Sequence, residues 1–174
     1  MKVIATISAV FLVIAVIVLI VHFMSLPPGE NALIADFHAH RSTYERLKLD
    51  LQADGQVDQV SPRGILDATS SISHIPPQGG LSRARFDEYL SLLNEVHGVA
   101  VYRSHTHANL CVGMWGRGFA GNTEHIAVCW LEDEVPGKQV SSIDKINWGA
   151  ADSVGKRQFF YRKVEGHWYL ERDG

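Results

Sequence analysis

The sequence predicts an α+β domain hung from one N-terminal transmembrane helix, with two helices packed on an antiparallel sheet of about four to six strands. Three observations carry that expectation. An uncharged apolar run fills Val3 to Leu26, two later stretches space apolar residues by three and four, and after Gly98 the apolar period changes to two. Helices first and strands afterwards put the soluble part in the α+β class, with helices on one face of the sheet.

The run Val3–Leu26 is interrupted only by Thr6, Ser8, His22 and Ser25. As a helix it is about 36 Å long, enough to cross a hydrocarbon core of about 30 Å with some tilt. It has no polar face, so it does not read as a helix on a soluble core. It is longer than a secretory signal core of roughly 7–15 residues, and its exit lacks a small-x-small cleavage site. Residues 1–26 therefore read as an uncleaved signal-anchor. Lys2 precedes the run and Glu30 and Asp36 follow it, which orients the N-terminus to the cytoplasm and the domain outside.

Residues 27–31, with Pro27, Pro28 and Gly29, read as a linker, and 32–174 as one extracytoplasmic domain. The 148 residues after Leu26 (174 less the first 26) are enough for one core. Without Lys2 that part is one unit more negative than the chain's −3, and its basic pairs are short, so it offers no nucleic-acid surface.

Along the chain, Leu33, Phe37, His40, Tyr44, Leu47 and Leu51 make one stripe of a helix from Asn31 to about Ala53, stopped at Asp54-Gly55. Val57, Val60, Ile65-Leu66 and Ile72 mark one or two short strands. A second helix runs from Ser82, its cap, to His97, with Gly98 in the left-handed position after it and Phe86, Tyr89, Leu90, Leu93 and Val96 as the buried stripe. Val99, Val101 and Arg103 alternate with their neighbours. Leu110, Val112 and Met114 share the core face of one strand, and Ile126, Val128 and Trp130 that of the next. Glu132 to Gly155 reads mostly as loop, with Ile143, Ile146 and Trp148 as plugs. A closing hairpin turns at Glu165-Gly166, which sets Tyr161 opposite Leu170 and Lys163 opposite Trp168, with Phe159, Tyr161, Trp168 and Leu170 on the core face.

Leu33-Ile-Ala-Asp-Phe-His-Ala-His40 resembles the strand-end His-x-His signature of the metal-dependent amidohydrolases. The resemblance implies metal held by His38 and His40 in a (β/α)₈ barrel, a fold of about 200 residues or more. The helical period of the surrounding residues instead separates those rings by about 200° and puts His40 on the stripe and His38 on the surface. Gly116-Arg-Gly-Phe-Ala-Gly121 matches a dinucleotide-binding glycine pattern, but a strand-like stretch follows it where that site needs a helix. It reads as a hairpin loop.

If that hairpin is centred near Ala120, Cys111 faces Cys129 and Trp115 faces His125, and His105, His107, Cys111, His125 and Cys129 share one face. Cys111 and Cys129 then compete between a cross-strand disulfide, unpaired packing and a zinc site with the histidines. No residues present a nucleophile–base set, and no cofactor is expected.

These features favour a membrane-anchored binding module with a protein partner, inhibitor- or immunity-type in one version, over an enzyme. The alternatives are a metal- or His/Cys-dependent enzyme on that histidine-rich face and a structural subunit of a membrane complex. The expected contact with the membrane is residues 3–26.

Overall fold

The stretch read as one long helix is two. The computed structural model describes residues 26–67, 74–76, 78, 80–103, 110–119, 122–146 and 158–173, without the side chains of 117–119, 122 and 123. In it α1 (Glu30–Ala39) and α2 (Arg41–Ala53) are separated by His40, whose backbone leaves the helical region. The His40 ring turns back on α1 and sets Nδ1 3.2 Å from the Asp36 carbonyl, which also accepts from the His40 amide at 2.9 Å, and 3.1 Å from the Asp36 carboxylate. The stripe survives the break, since Leu33, Phe37, Tyr44, Leu47 and Leu51 are all buried.

The N-terminus of α1 is capped from far along the chain. The Glu30 amide donates to both carboxylate oxygens of Asp144, at 3.1 and 3.2 Å. Glu30 returns the bond by accepting from the Ile143 amide at 2.6 Å, and it also pairs with Arg162. This reciprocal arrangement satisfies orphan helix amides, as a local capping box would. Ile143 is fully buried beside it, as the sequence pattern suggests. Ser82 caps α3 (Arg83–Glu95) locally by accepting from the Arg85 amide at 3.2 Å.

Among the described residues there are eight strands, more than the four to six expected: β1 (Val57–Ser61), β2 (Gly64–Asp67), β3 (Ala100–Arg103), β4 (Leu110–Phe119), β5 (Asn122–Trp130), β6 (Lys138–Gln139), β7 (Phe159–Glu165) and β8 (Trp168–Asp173). They form one sheet in the order β2-β1-β3-β4-β5-β8-β7-β6. The pairs are antiparallel except β6 with β7. The two residues of β6 are too few to show a period, which is why 132–155 reads as loop. Among the described residues no helix is long and apolar enough to cross a membrane. The anchor run up to Ser25 lies outside the described residues, as do Ile72, His105, His107 and Trp148.

Two registers differ from the sequence expectation by one residue. In the β4–β5 hairpin Cys111 does pair with Cys129, but a bulge follows Gly113, so Trp115 opposes Ile126 and Gly116 opposes His125. Met114 and Trp115 therefore both pack into the helix-side core. In the last hairpin Glu165 pairs with Trp168, so the two-residue loop is Gly166-His167, with Gly166 at φ +53°. Tyr161 then opposes Glu171, and Arg162 opposes Leu170. Trp168 and Leu170 stay in the helix-side core, whereas Tyr161 joins the other face and Phe159 is exposed.

The sheet thus buries side chains on both faces. The three helices cover the larger core, and Cys111, Ala127, Cys129, Leu131, Tyr161 and Tyr169 make a smaller one behind the sheet. Where α3 ends, the left-handed residue is His97, at φ 54°, rather than Gly98. Gly98 is needed for space, because an added Cβ would lie 2.9 Å from Val112 Cγ1 and 3.1 Å from Leu93 Cδ2. Gly98→Ala is expected to destabilise the fold by about 1–3 kcal/mol, as overpacked core sites do. Urea unfolding measures it, and an unchanged midpoint would contradict the close packing of α3 on β4.

Candidate functional site

Asp36 gathers polar groups from three residues, His40, Tyr44 and His97. It lies in the last turns of α1, one turn before the break. Its Oδ2 accepts from the Tyr44 hydroxyl at 2.9 Å. Its Oδ1 lies 3.1 Å from His40 Nδ1 and 3.3 Å from His97 Nδ1. The Tyr44 hydroxyl also lies 3.4 Å from Met114 Sδ. Burial first, and then the Asp36 charge and hydrogen bond, push the Tyr44 hydroxyl far above its usual range. It therefore remains a proton donor to Asp36 at any ordinary pH.

Asp36, His97 and Met114 edge a cavity of about 290 Å³ that is also lined by Pro28, Ala32 and Leu33. The wall is mainly apolar, and Asp36 and His97 supply its ionisable groups. The cavity lies just under the usual ligand-pocket range of about 300–1,000 Å³. The Asp36 side chain is 17% exposed and that of His97 is 79% exposed, so the carboxylate sits deep and the imidazole stands at the rim. His97 holds a backbone conformation that costs a non-glycine residue free energy, and such positions concentrate where side-chain placement matters.

The amidohydrolase-like histidines do not share a metal position. His38 is exposed, with Nδ1 3.7 Å from Glu165, while His40 turns to Asp36. Gly116 and Gly118 lie in β4, Gly121 lies outside the described residues, and the element that starts at Asn122 is the strand β5 where a dinucleotide site needs a helix.

Behind the sheet, Cys111 and Cys129 stand side by side with their sulfurs at disulfide distance. His125 is on the same face, with two carboxylates as partners, and His105 and His107 lie outside the described residues. His125 Nε2 is 2.9 Å from Glu171 Oε1, and Nδ1 is 3.0 Å from Asp173 Oδ2. Its amide donates to Asp173 Oδ1 at 2.6 Å, and the Tyr161 hydroxyl donates to Glu171 Oε2 at 2.5 Å. Both ring nitrogens of His125 are thus engaged, which leaves neither for a substrate. Glu171 and Asp173 are buried.

Sequence reasoning missed Tyr44, His97, Glu171, Asp173 and Tyr161 as site residues. Asp36, His40 and Tyr44 follow a readable four-residue spacing. Glu171 and Asp173 are alternate residues on β8, visible as a same-face pair once the register is right. His97 carries no such local signal.

No family model matches the chain, and neither a curated protein nor a solved structure resembles it at a significant level.

Burial lowers the His125 pKa, but the hydrogen bonds and charges of Asp173 and Glu171 outweigh it and hold the value at about 9. The folded pKa is raised, so the stabilisation is full below the ordinary value of 6.5 and is lost as pH rises through about 9. An NMR titration of the His125 ring is expected to give a midpoint near 9, displaced downward in Glu171→Gln. A midpoint near 6.5 in the unaltered protein would contradict the two-carboxylate clamp.

Proposed function

We propose that this chain is a membrane-tethered binding module whose α+β domain takes a small ligand, apolar in body with one hydrogen-bond donor or cationic group, in the cavity beside Asp36. The observation that carries the reading is the Asp36 carboxylate, fixed by Tyr44, His40 and His97 at the edge of an apolar cavity of about 290 Å³. Pockets that bind small molecules combine an apolar wall with a few convergent polar groups, and this one has that composition. Fixing the carboxylate beforehand lowers the ordering cost of binding.

The tether is supported by the uncharged run Val3–Leu26 and by the thin positive-inside signal of Lys2. On this reading residues 1–26 anchor the chain, the N-terminus is cytoplasmic, and the domain works outside. Cavity-lining Pro28 and Ala32 follow the anchor within a few residues, so the cavity lies near the point where the chain leaves the membrane. A protein partner that presents such a group on a side chain is the macromolecular form of the same reading. An oxidising location also suits a closed Cys111–Cys129 pair.

The test uses three probes on one carbon skeleton, benzylamine, benzyl alcohol and benzoate, titrated by NMR into the detergent-solubilised full chain. Benzylamine and benzyl alcohol are expected to shift the methyl signals of Ala32, Leu33 and Met114, and benzoate is not. Asp36→Asn is expected to weaken benzylamine by about tenfold or more, the worth of a charge-assisted hydrogen bond. His97→Gly relieves the left-handed strain while loosening the unfolded chain, so stability is expected to hold within about 1 kcal/mol while probe binding weakens. Equal binding of all three probes, or shifts that do not cluster at the cavity, would contradict the reading.

A further inference from the structure

We propose that Cys111, Cys129 and Glu171 form a binding site for a zinc-class divalent cation when the cysteine pair is reduced. The same point of the sheet is then bridged either by a sulfur–sulfur bond or by a metal. The two Sγ atoms and a Glu171 carboxylate oxygen all lie within 4.8 Å of one another. All three residues are buried, on the adjacent strands β4, β5 and β8. A site on paired strands is held more rigidly than one on loops.

The surroundings are those of a metal ligand. Glu171 is oriented by two hydrogen bonds, from His125 Nε2 at 2.9 Å and from the Tyr161 hydroxyl at 2.5 Å. Carboxylates that bind metals are held in this way by outer partners, which fix their direction and tune their basicity. Two thiolates and a carboxylate are a donor set that zinc takes readily, with the fourth tetrahedral position left to water.

The steps balance. A dithiol reductant gives two electrons and two protons: its sulfurs join in a new disulfide as the Cys111–Cys129 bond breaks, leaving two cysteine thiols. The cation then displaces both thiol protons, forms two metal–sulfur bonds and takes one oxygen of Glu171. Because the sulfurs are buried, the reductant reaches them through local opening of the sheet's second face. None of this depends on the Asp36 cavity, which lies on the helix side.

The experiment uses the detergent-solubilised full chain, oxidised or reduced by a dithiol that is then removed under anaerobic conditions, with Co²⁺ as the probe. The oxidised chain is expected to show no free thiols on unfolding and to take no cobalt. The reduced chain is expected to take one Co²⁺, with a sulfur-to-cobalt charge-transfer band in the near ultraviolet that Zn²⁺ abolishes. Glu171→Gln is expected to keep the band and weaken binding about 10–100-fold, and Cys129→Ser to lose the band. The proposal is overturned by a reduced chain that takes no cobalt, by equal uptake in the oxidised chain, by uptake only with loss of the native far-ultraviolet spectrum, or by unchanged affinity in either variant.

Discussion

Met114 is the residue by which β4 exceeds β5, and the helix-side core depends on that excess, because it turns Trp115 to the helices beside Met114. Before it, Leu110 to Gly113 pair with Ala127 to Trp130 in simple alternation. After it, the pairing is displaced by one, so Met114 and Trp115 both face the helices while His125 stays behind the sheet. A bulge costs one unpaired residue in the ladder and re-aims the side chains beside it. Here it turns Trp115 to the helix side beside Met114, while the cysteines, His125, Glu171 and Asp173 share the other face by plain alternation along β4, β5 and β8. Without it, alternation would carry Trp115 to the cysteine side of the sheet and open the helix-side core.

The two faces use polar groups in different ways. On the helix side, Asp36 is stabilised mainly by neutral and imidazole donors and remains in contact with a cavity. Behind the sheet, Glu171 and Asp173 are buried and compensated by His125, whose ring has no nitrogen to spare. Removing one member of a buried charge set leaves its partners uncompensated, at a cost of about 3–5 kcal/mol. The rear cluster therefore holds strands β5 and β8 together even where it carries no ligand. The Glu30–Asp144–Arg162 clamp does the same at the start of α1, where the chain emerges from its apolar N-terminal run.

Helices and strand stretches were legible because their apolar spacing is regular: Leu33 to Leu51, Phe86 to Val96, and the alternating faces of Leu110 and Ile126 all fall where the pattern sets them. The Cys111–Cys129 juxtaposition followed from a symmetric hairpin and was legible too. What failed was register beyond that point. Bulges at Met114 and in β7 have no periodic signature, yet each moves every later pair by one and exchanges the faces. That is why Trp115 was expected opposite His125, and why Tyr161 was expected beside Leu170 rather than over Glu171. The Asp36 site was hidden for another reason. His97 reaches it across 61 positions of sequence, and its role comes from where α3 ends rather than from any local pattern.

The β4–β5 register is open to direct measurement by cross-strand backbone NOEs in the full chain. Contacts are expected that pair Trp115 with Ile126 and Gly116 with His125, alongside Cys111 with Cys129. Contacts that pair Trp115 with His125 in unbroken alternation would contradict it, because Trp115 would then lie on the cysteine side of the sheet beside His125 and not in the helix-side core.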